Sequence, residues 1–252
     1  MSGLLDGKVA IVTGSGSGIG RGICLAFATE GARSVVADID PERAQATVEE
    51  VRARGAEAIA VVCDVREHDQ VRRCVERAVQ ELGGIDILVN NAIAPPQMKP
   101  LLDTTTDMVE VMWRSGPLGS MHFMQACHPH LRARSGNIVN VASRAGMDGT
   151  HGFGAYAAAK EAMRTLTKVA AREWGPDGIR VNTICPAAAS PAHARWAAEH
   201  PDLAAARAAQ RPLGRNGDCE LDIGRAVVML ASDYAGYVTG NTLMVDGGTC
   251  SW

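Results

Sequence analysis

The sequence predicts an α/β protein: a single Rossmann-like domain over residues 1–252, built on a doubly wound parallel β-sheet flanked by helices on both faces. Three observations predict it. Short β-branched runs alternate with amphipathic stretches of helical period along the whole chain. The strand-like runs are continuously apolar, as strands covered on both faces must be. A glycine-rich turn, Thr13-Gly14-Ser15-Gly16-Ser17-Gly18-Ile19-Gly20, directly follows the first of them.

Residues 9–12 are the first strand, and 19–30 the first helix, stopped by Gly31. Residues 34–37 are the second strand. Asp40 then caps a helix that carries Pro41 in its first turn, runs to about residue 54 and ends at Gly55. A strand at 58–62, a helix at 70–82 closed by Gly83-Gly84, and a strand at 85–89 follow. A long helical region spans 106–131. Inside it Pro117 has no N–H to donate and clashes with the carbonyl of Trp113, which predicts a kink near 113–117. Then come a strand at 137–141, a helix at 155–174 and a sixth strand at 179–184. Residues 187–217, rich in Ala, Arg and Pro, break the alternation and form the candidate lid. A helix at 221–231 and a last strand at 242–245 complete the chain.

Composition narrows the function. The 252 residues are 46% hydrophobic and 21% charged, which excludes a disordered or collagen-like chain. Lys+Arg number 25 against 28 Asp+Glu, and a net charge of -3 argues against nucleic-acid binding. No apolar run is long enough to cross a membrane and no export signal is visible, so a cytoplasmic protein is expected. The seven cysteines are scattered without a C-x-x-C pair, so free thiols are expected, with neither a disulfide framework nor a metal site.

The glycine turn is placed to hold a phosphate group. A dinucleotide's pyrophosphate sits against helix N-terminal amides, where side chains would block it. Asp38, after the second strand, suits the adenosine ribose hydroxyls and would repel a 2′-phosphate. Position 17 is Ser, so no cation inside the turn offsets that repulsion, and NAD is expected over NADP. Tyr156 and Lys160 lie four apart on a helical stretch and share a face. Ser143 lies upstream, just past a strand end. Hydride transfer at an alcohol or carbonyl carbon needs a proton moved to or from oxygen. A tyrosine beside an ammonium can move it, and a serine hydroxyl can hold the substrate oxygen.

The spacing G-x-x-x-G-x-G, at Gly14, Gly18 and Gly20, resembles that of the short-chain dehydrogenase/reductase family, and the resemblance covers nearly the whole chain. Asn90-Asn91-Ala92, Pro186 and Asp246-Gly247-Gly248 match further family motifs. The resemblance implies Tyr156 as general acid/base, Ser143 as the group that orients substrate, and Lys160 as a ribose ligand that lowers the tyrosine pKa. It implies cofactor contacts at Gly14, Ser17, Gly18, Ile19, Gly20, Asp38, Ile39, Asp64, Val65, Asn91, Ala92, Tyr156, Lys160, Pro186, Ala188 and Ser190. It also implies a homotetramer or homodimer packed through the helices at 106–131 and 155–174.

Three positions depart from the family pattern. Gly116 stands where the family has Asn, with Ser115 beside it as a substitute polar group. Ile93 replaces a glycine, and Ala187 replaces another after Pro186, at a cost of order 1 kcal/mol if its φ is positive. Two readings follow: an NAD-dependent oxidoreductase acting on a secondary alcohol or ketone, or an NAD-binding protein that has lost turnover and acts through binding or assembly. His193, Trp196 and His200 of the lid, with Trp113, Met147, His151 and Phe153, are candidates to line a mostly apolar substrate pocket. The C-terminal Trp252 is expected to dock at a subunit contact.

Overall fold

The computed structural model describes residues 3–189 and 191–250, without the side chains of Ala192, His193 and Arg207. Ser190 and Trp252 lie outside the described residues. Among these, seven strands form one sheet: β1 (Val9–Thr13), β2 (Arg33–Asp38), β3 (Ala58–Val62), β4 (Ile87–Asn90), β5 (Asn137–Val141), β6 (Arg180–Pro186) and β7 (Thr242–Val245). Their order is β3-β2-β1-β4-β5-β6-β7, and every pairing is parallel. The order reverses beside β1, and β1 and β4 therefore open a crevice at their C-terminal ends.

Apolar residues run continuously along these strands because alternate side chains feed two cores. Ala10, Val12 and Val36 face a cluster with Ile23 and Phe27 of helix α1 (Gly18–Thr29), Val48 of α2 (Pro41–Ala53) and Val227 of α10 (Arg225–Ala231). Val9, Ile11 and Val35 face the other, with Val71 of α3 (His68–Leu82), Phe123 of α5 (Gly119–Arg132) and Ala170 of α7 (Gly154–Trp174). Local signals set the helix ends. The Asp40 carboxylate accepts from the amides of Glu42 and Arg43 at the start of α2. Gly83 closes α3 in the left-handed conformation.

The helical region at 106–131 is two helices, α4 (Thr106–Trp113) and α5, joined by a π-helical turn over Arg114–Leu118. The disruption expected from Pro117 takes this form: the chain widens by one residue, and the Gly119 amide reaches back to the Arg114 carbonyl. A short helix, α6 (Arg144–Asp148), follows β5 and has no counterpart in the sequence-based expectation. The segment 187–217 carries two helices, α8 (Pro191–Glu199) and α9 (Pro201–Ala209). Its base is closed by main-chain bonds of Ala187 and Ala189 with Gly217, at 3.1 and 2.9 Å. Ala187 does not take a positive φ, so the strain allowed for there is absent.

Candidate functional site

The turn from β1 into α1 is shaped by backbone contacts. Gly14 and Gly18 have φ of 61° and 56°, conformations that side chains disfavour. A Cβ on Gly20 would stand 2.4 Å from the Gly14 carbonyl oxygen. Ser17 opens α1 in an extended conformation and makes no side-chain cap, so the first-turn amides of α1 keep no side-chain partner from it. The end of β4 braces this turn. Asn91 Nδ2 donates to the carbonyls of Thr13 and Gly14, both at 2.9 Å, and Thr13 Oγ1 accepts from the amides of Asn91 and Ala92 at 3.0 Å.

A cleft of roughly 450 Å³ lies over this turn. Gly14, Ser17, Asp38, Ile39, Asp64, Val65, Asn91 and Ala92 line it. Asp38 folds back onto the turn: Oδ2 accepts from Gly16 N at 2.7 Å and Oδ1 from Asp40 N at 3.0 Å. Gly18, Ile19 and Gly20 lie in the first turn of α1, and the Ile19 side chain packs against the core rather than into the cleft. Pro186 and Ala188 follow at the end of β6. Two charged residues of the lining, Arg43 and Arg66, were not expected from the sequence. Arg43 stands on α2 beside Asp38 and pairs with Asp40 at 3.0 Å. Arg66 grips the Asp64 carboxylate through Nε and Nη2 and holds that carboxyl below its ordinary range. The spacing Asp64-Val65-Arg66 was a visible signal for that pair.

The glycine cradle fits a dinucleotide. A Cβ on Gly14 would stand 2.9 Å from the Ala92 Cα, one on Gly16 2.9 Å from Asp38 Oδ2, and one on Gly20 would meet the Gly14 carbonyl; only a chain without side chains there can keep this surface bare.

A second cleft, of about 510 Å³, borders Tyr156 and Ala155 on α7, with Pro95, Pro96, Val111 and Met112 on its other walls. Ser143 and Lys160 stand beside Tyr156, behind the wall of this cleft. Ser143 caps α6, accepting from the Ala145 amide at 3.2 Å, and stands close enough to the Tyr156 phenol to favour its ionisation. Lys160 Nζ lies 5.7 Å from the Tyr156 ring centre and donates to the Val141 carbonyl. Burial lowers Lys160 to about 8. Burial also raises the Tyr156 phenol, and Ser143, not Lys160, is the group that opposes the rise. In this structure the Lys160 ammonium is turned to the Val141 carbonyl.

Of the pocket candidates, Phe153 stacks edge-on against Tyr156 at 5.8 Å, and Trp196 and His200 pack together at 5.6 Å on the 187–217 segment. Trp113 does not join them. It lines a separate apolar cleft with Pro117, Met121 and Leu166, on the outer side of the π turn. Gly116 and Ile93 are neighbours: a Cβ on Gly116 would stand 3.2 Å from Ile93 Cδ1. Among the described residues all seven cysteines are free, no group of three or more His, Cys, Asp or Glu is placed to hold a metal, and no helix is long and apolar enough to cross a membrane.

A bare phosphate cradle at the switch point of a parallel sheet, with a Tyr–Lys pair one helical turn apart across the crevice, is the layout of Rossmann-type oxidoreductases. Comparison with known proteins agrees. Residues 14–250 match the family model described as enoyl-(acyl carrier protein) reductase. The chain is 39% identical over 253 residues to a 12alpha-hydroxysteroid dehydrogenase of Clostridium sp., covering 98% of both. It is 37% identical to an L-fucose dehydrogenase of Oryctolagus cuniculus, over 96% of this chain and 84% of that protein. A solved 7 alpha-hydroxysteroid dehydrogenase complexed with NADH and 7-oxo glycochenodeoxycholic acid superposes with a TM-score of 0.91 at 33% identity, covering 98% of this chain and 96% of that one. The chain belongs to the short-chain dehydrogenase/reductase family, and it is an oxidoreductase.

Proposed function

We propose that this protein is an NAD(H)-dependent oxidoreductase that interconverts a secondary alcohol and its ketone. The observation that carries the reading is that Tyr156, which borders this cleft, has Ser143 and the buried Lys160 as its neighbours. The NADH complex of the similar hydroxysteroid dehydrogenase supports the cofactor. When bound, NAD(H) accepts a hydride from the alcohol carbon or returns one to the ketone carbon.

The chain's own residues do the rest. Ser143 holds the substrate oxygen beside the Tyr156 phenol. Tyr156 takes the hydroxyl proton in oxidation and returns it in reduction. Lys160, buried with its ammonium on Val141, anchors the helix face that presents Tyr156 and binds the nicotinamide ribose. The glycine turn and Ser17 hold the pyrophosphate. Asp38, already held by two main-chain amides, presents its carboxylate to the adenosine ribose, and Asp64, Val65 and Ile39 frame the adenine. Asn91, Ala92, Pro186, Ala188 and Ser190 complete the cofactor contacts, with residues 187–217 as a lid of the same domain. The reading without turnover rests on Gly116 and Ile93, and their mutual packing supports a repacked site rather than a broken one.

Exposed apolar residues on α4 and α7, Val109, Trp113 and Val169 at 42%, 48% and 45% exposure, support a homodimer or homotetramer built on those helices. The free, mostly buried thiols are in keeping with the cytoplasm.

Titration with NADH and NADPH, followed by turnover of a panel of secondary alcohols that includes hydroxysteroids and sugar alcohols, tests the reading. NADH is expected to bind more tightly than NADPH, with turnover on at least one alcohol. Asp38→Ala should narrow the preference for NADH; an unchanged ratio would mean that the carboxylate does not read the ribose.

A further inference from the structure

The two clefts share a wall. The chain leaving β4 lines the dinucleotide cleft with Ala92, Ile93 and Ala94, and the cleft at Tyr156 with Pro96 and Gln97; Pro95 borders both. This segment has no regular secondary structure over residues 91–98. Pro95 and Pro96 have no N–H, so between Ala92 and Gln97 only Ile93 and Ala94 have amides to donate.

Among the described residues, the main-chain donors that anchor the stretch are few. Ala92 N donates to Thr13 Oγ1 at 3.0 Å, Lys99 N to the Gly152 carbonyl at 3.0 Å, and between them Ala94 N to Ser115 Oγ at 3.0 Å. The Ser115 hydroxyl is itself aimed by its own donation to the Val111 carbonyl, one turn back, at 2.6 Å. Ser115 is 5% exposed and borders the dinucleotide cleft, whereas Val111 borders the cleft at Tyr156. A single hydroxyl thus ties the shared wall to the helix beneath both clefts. The restricted backbone of Ala94-Pro95-Pro96 carries that fixed point along to the face that looks at Tyr156.

We propose that Ser115 is a positioning residue for both ligands: by holding the Ala94 amide it sets the wall between the cofactor and the substrate. The assignment of the two clefts rests on the reading under Proposed function; the hydrogen bond and its loss do not.

Ser115→Ala and Ser115→Thr in the full-length protein test it, by amide hydrogen exchange at Ala94, NADH titration, steady-state kinetics on a responsive alcohol and thermal melting. Thr keeps a hydroxyl that can bond the carbonyl four residues back. In Ser115→Ala, exchange at Ala94 should accelerate. The NADH Kd and the alcohol KM should each rise by about five- to tenfold, the size of one lost hydrogen bond. Both kcat and the melting temperature should change little, and Ser115→Thr should recover most of the loss. Unchanged exchange at Ala94 overturns the tether. Faster exchange with unchanged Kd and KM overturns the positioning role, as does a uniform loss of stability and activity that Thr does not rescue. If the parent protein turns over no alcohol, the reading of function fails separately, while Ala94 exchange and NADH Kd still decide the role of Ser115.

Discussion

Gly20 and Gly116 are both packed too tightly for an ordinary side chain, and for opposite reasons. A Cβ on Gly20 meets main chain, the Gly14 carbonyl oxygen at 2.4 Å and the Ser15 Cα at 2.8 Å, besides the Asn91 side-chain Nδ2 at 2.6 Å. A Cβ on Gly116 meets the tip of one flexible side chain, Ile93 Cδ1 at 3.2 Å. Main chain cannot yield without moving the strand that carries it, whereas a side-chain tip can turn away or be replaced. At Gly20 the turn is therefore fixed by backbone. The half nearer Tyr156 is written in side chains, and a change at one position can be matched at another. Ile93 and Gly116, two of the three departures from the family pattern, are in such contact.

Variants can break this contrast or sharpen it. The largest expected effect separates binding from chemistry. Tyr156→Phe should lower turnover by about 10²–10⁴-fold while NADH titration stays unchanged. Full activity in that variant would remove Tyr156 from the mechanism.

Gly20→Ala should act in the opposite sense, abolishing NADH binding and costing about 1–3 kcal/mol of stability in chemical denaturation. Normal NADH binding by this variant would mean that the turn yields, and the contrast would collapse.

Gly116→Asn should cost less, about 1 kcal/mol, because only Ile93 must give way. Ile93→Gly in the same chain should recover the loss, measured as a favourable coupling in a double-mutant cycle. Strict additivity would show that the two positions are not a pair.

A further test concerns the buried ammonium. Lys160 titrates near 8 in the fold against an ordinary 10.5, so between these values the unfolded chain binds more protons. The cost of burying Lys160 is complete below pH 8 and fades as pH rises toward 10.5. Relative to the parent, Lys160→Met should be most stable below pH 8, and its advantage should shrink above it. A difference independent of pH would mean that the ammonium is not desolvated in the fold.

Much of the cofactor half was legible in the chain because its signals are local. A strand followed by the glycines at 14, 18 and 20 specifies a turn, and Asp40 before Pro41 specifies a helix start. Both depend on residues a few positions apart, whose chemistry acts on the nearest backbone. The continuous apolar runs told of a sheet covered twice, and the two cores confirm why. The break at Pro117 was legible as a break, since a missing donor is a local fact. That it becomes a π turn was not, because its shape depends on what packs around it.

What the sequence alone determined was the fold class, the order of its main elements and the residue types gathered at the glycine turn and around Tyr156. Tertiary structure alone decided that Ile93 fills the space beside Gly116, that Ser115 holds Ala94 across 21 residues, that Arg43 stands beside Asp38, and that Trp113 borders a different cleft from Tyr156. Periodicity reports which face of an element is buried. It carries no record of which distant side chain arrives there, because that partner is set by how separate elements pack.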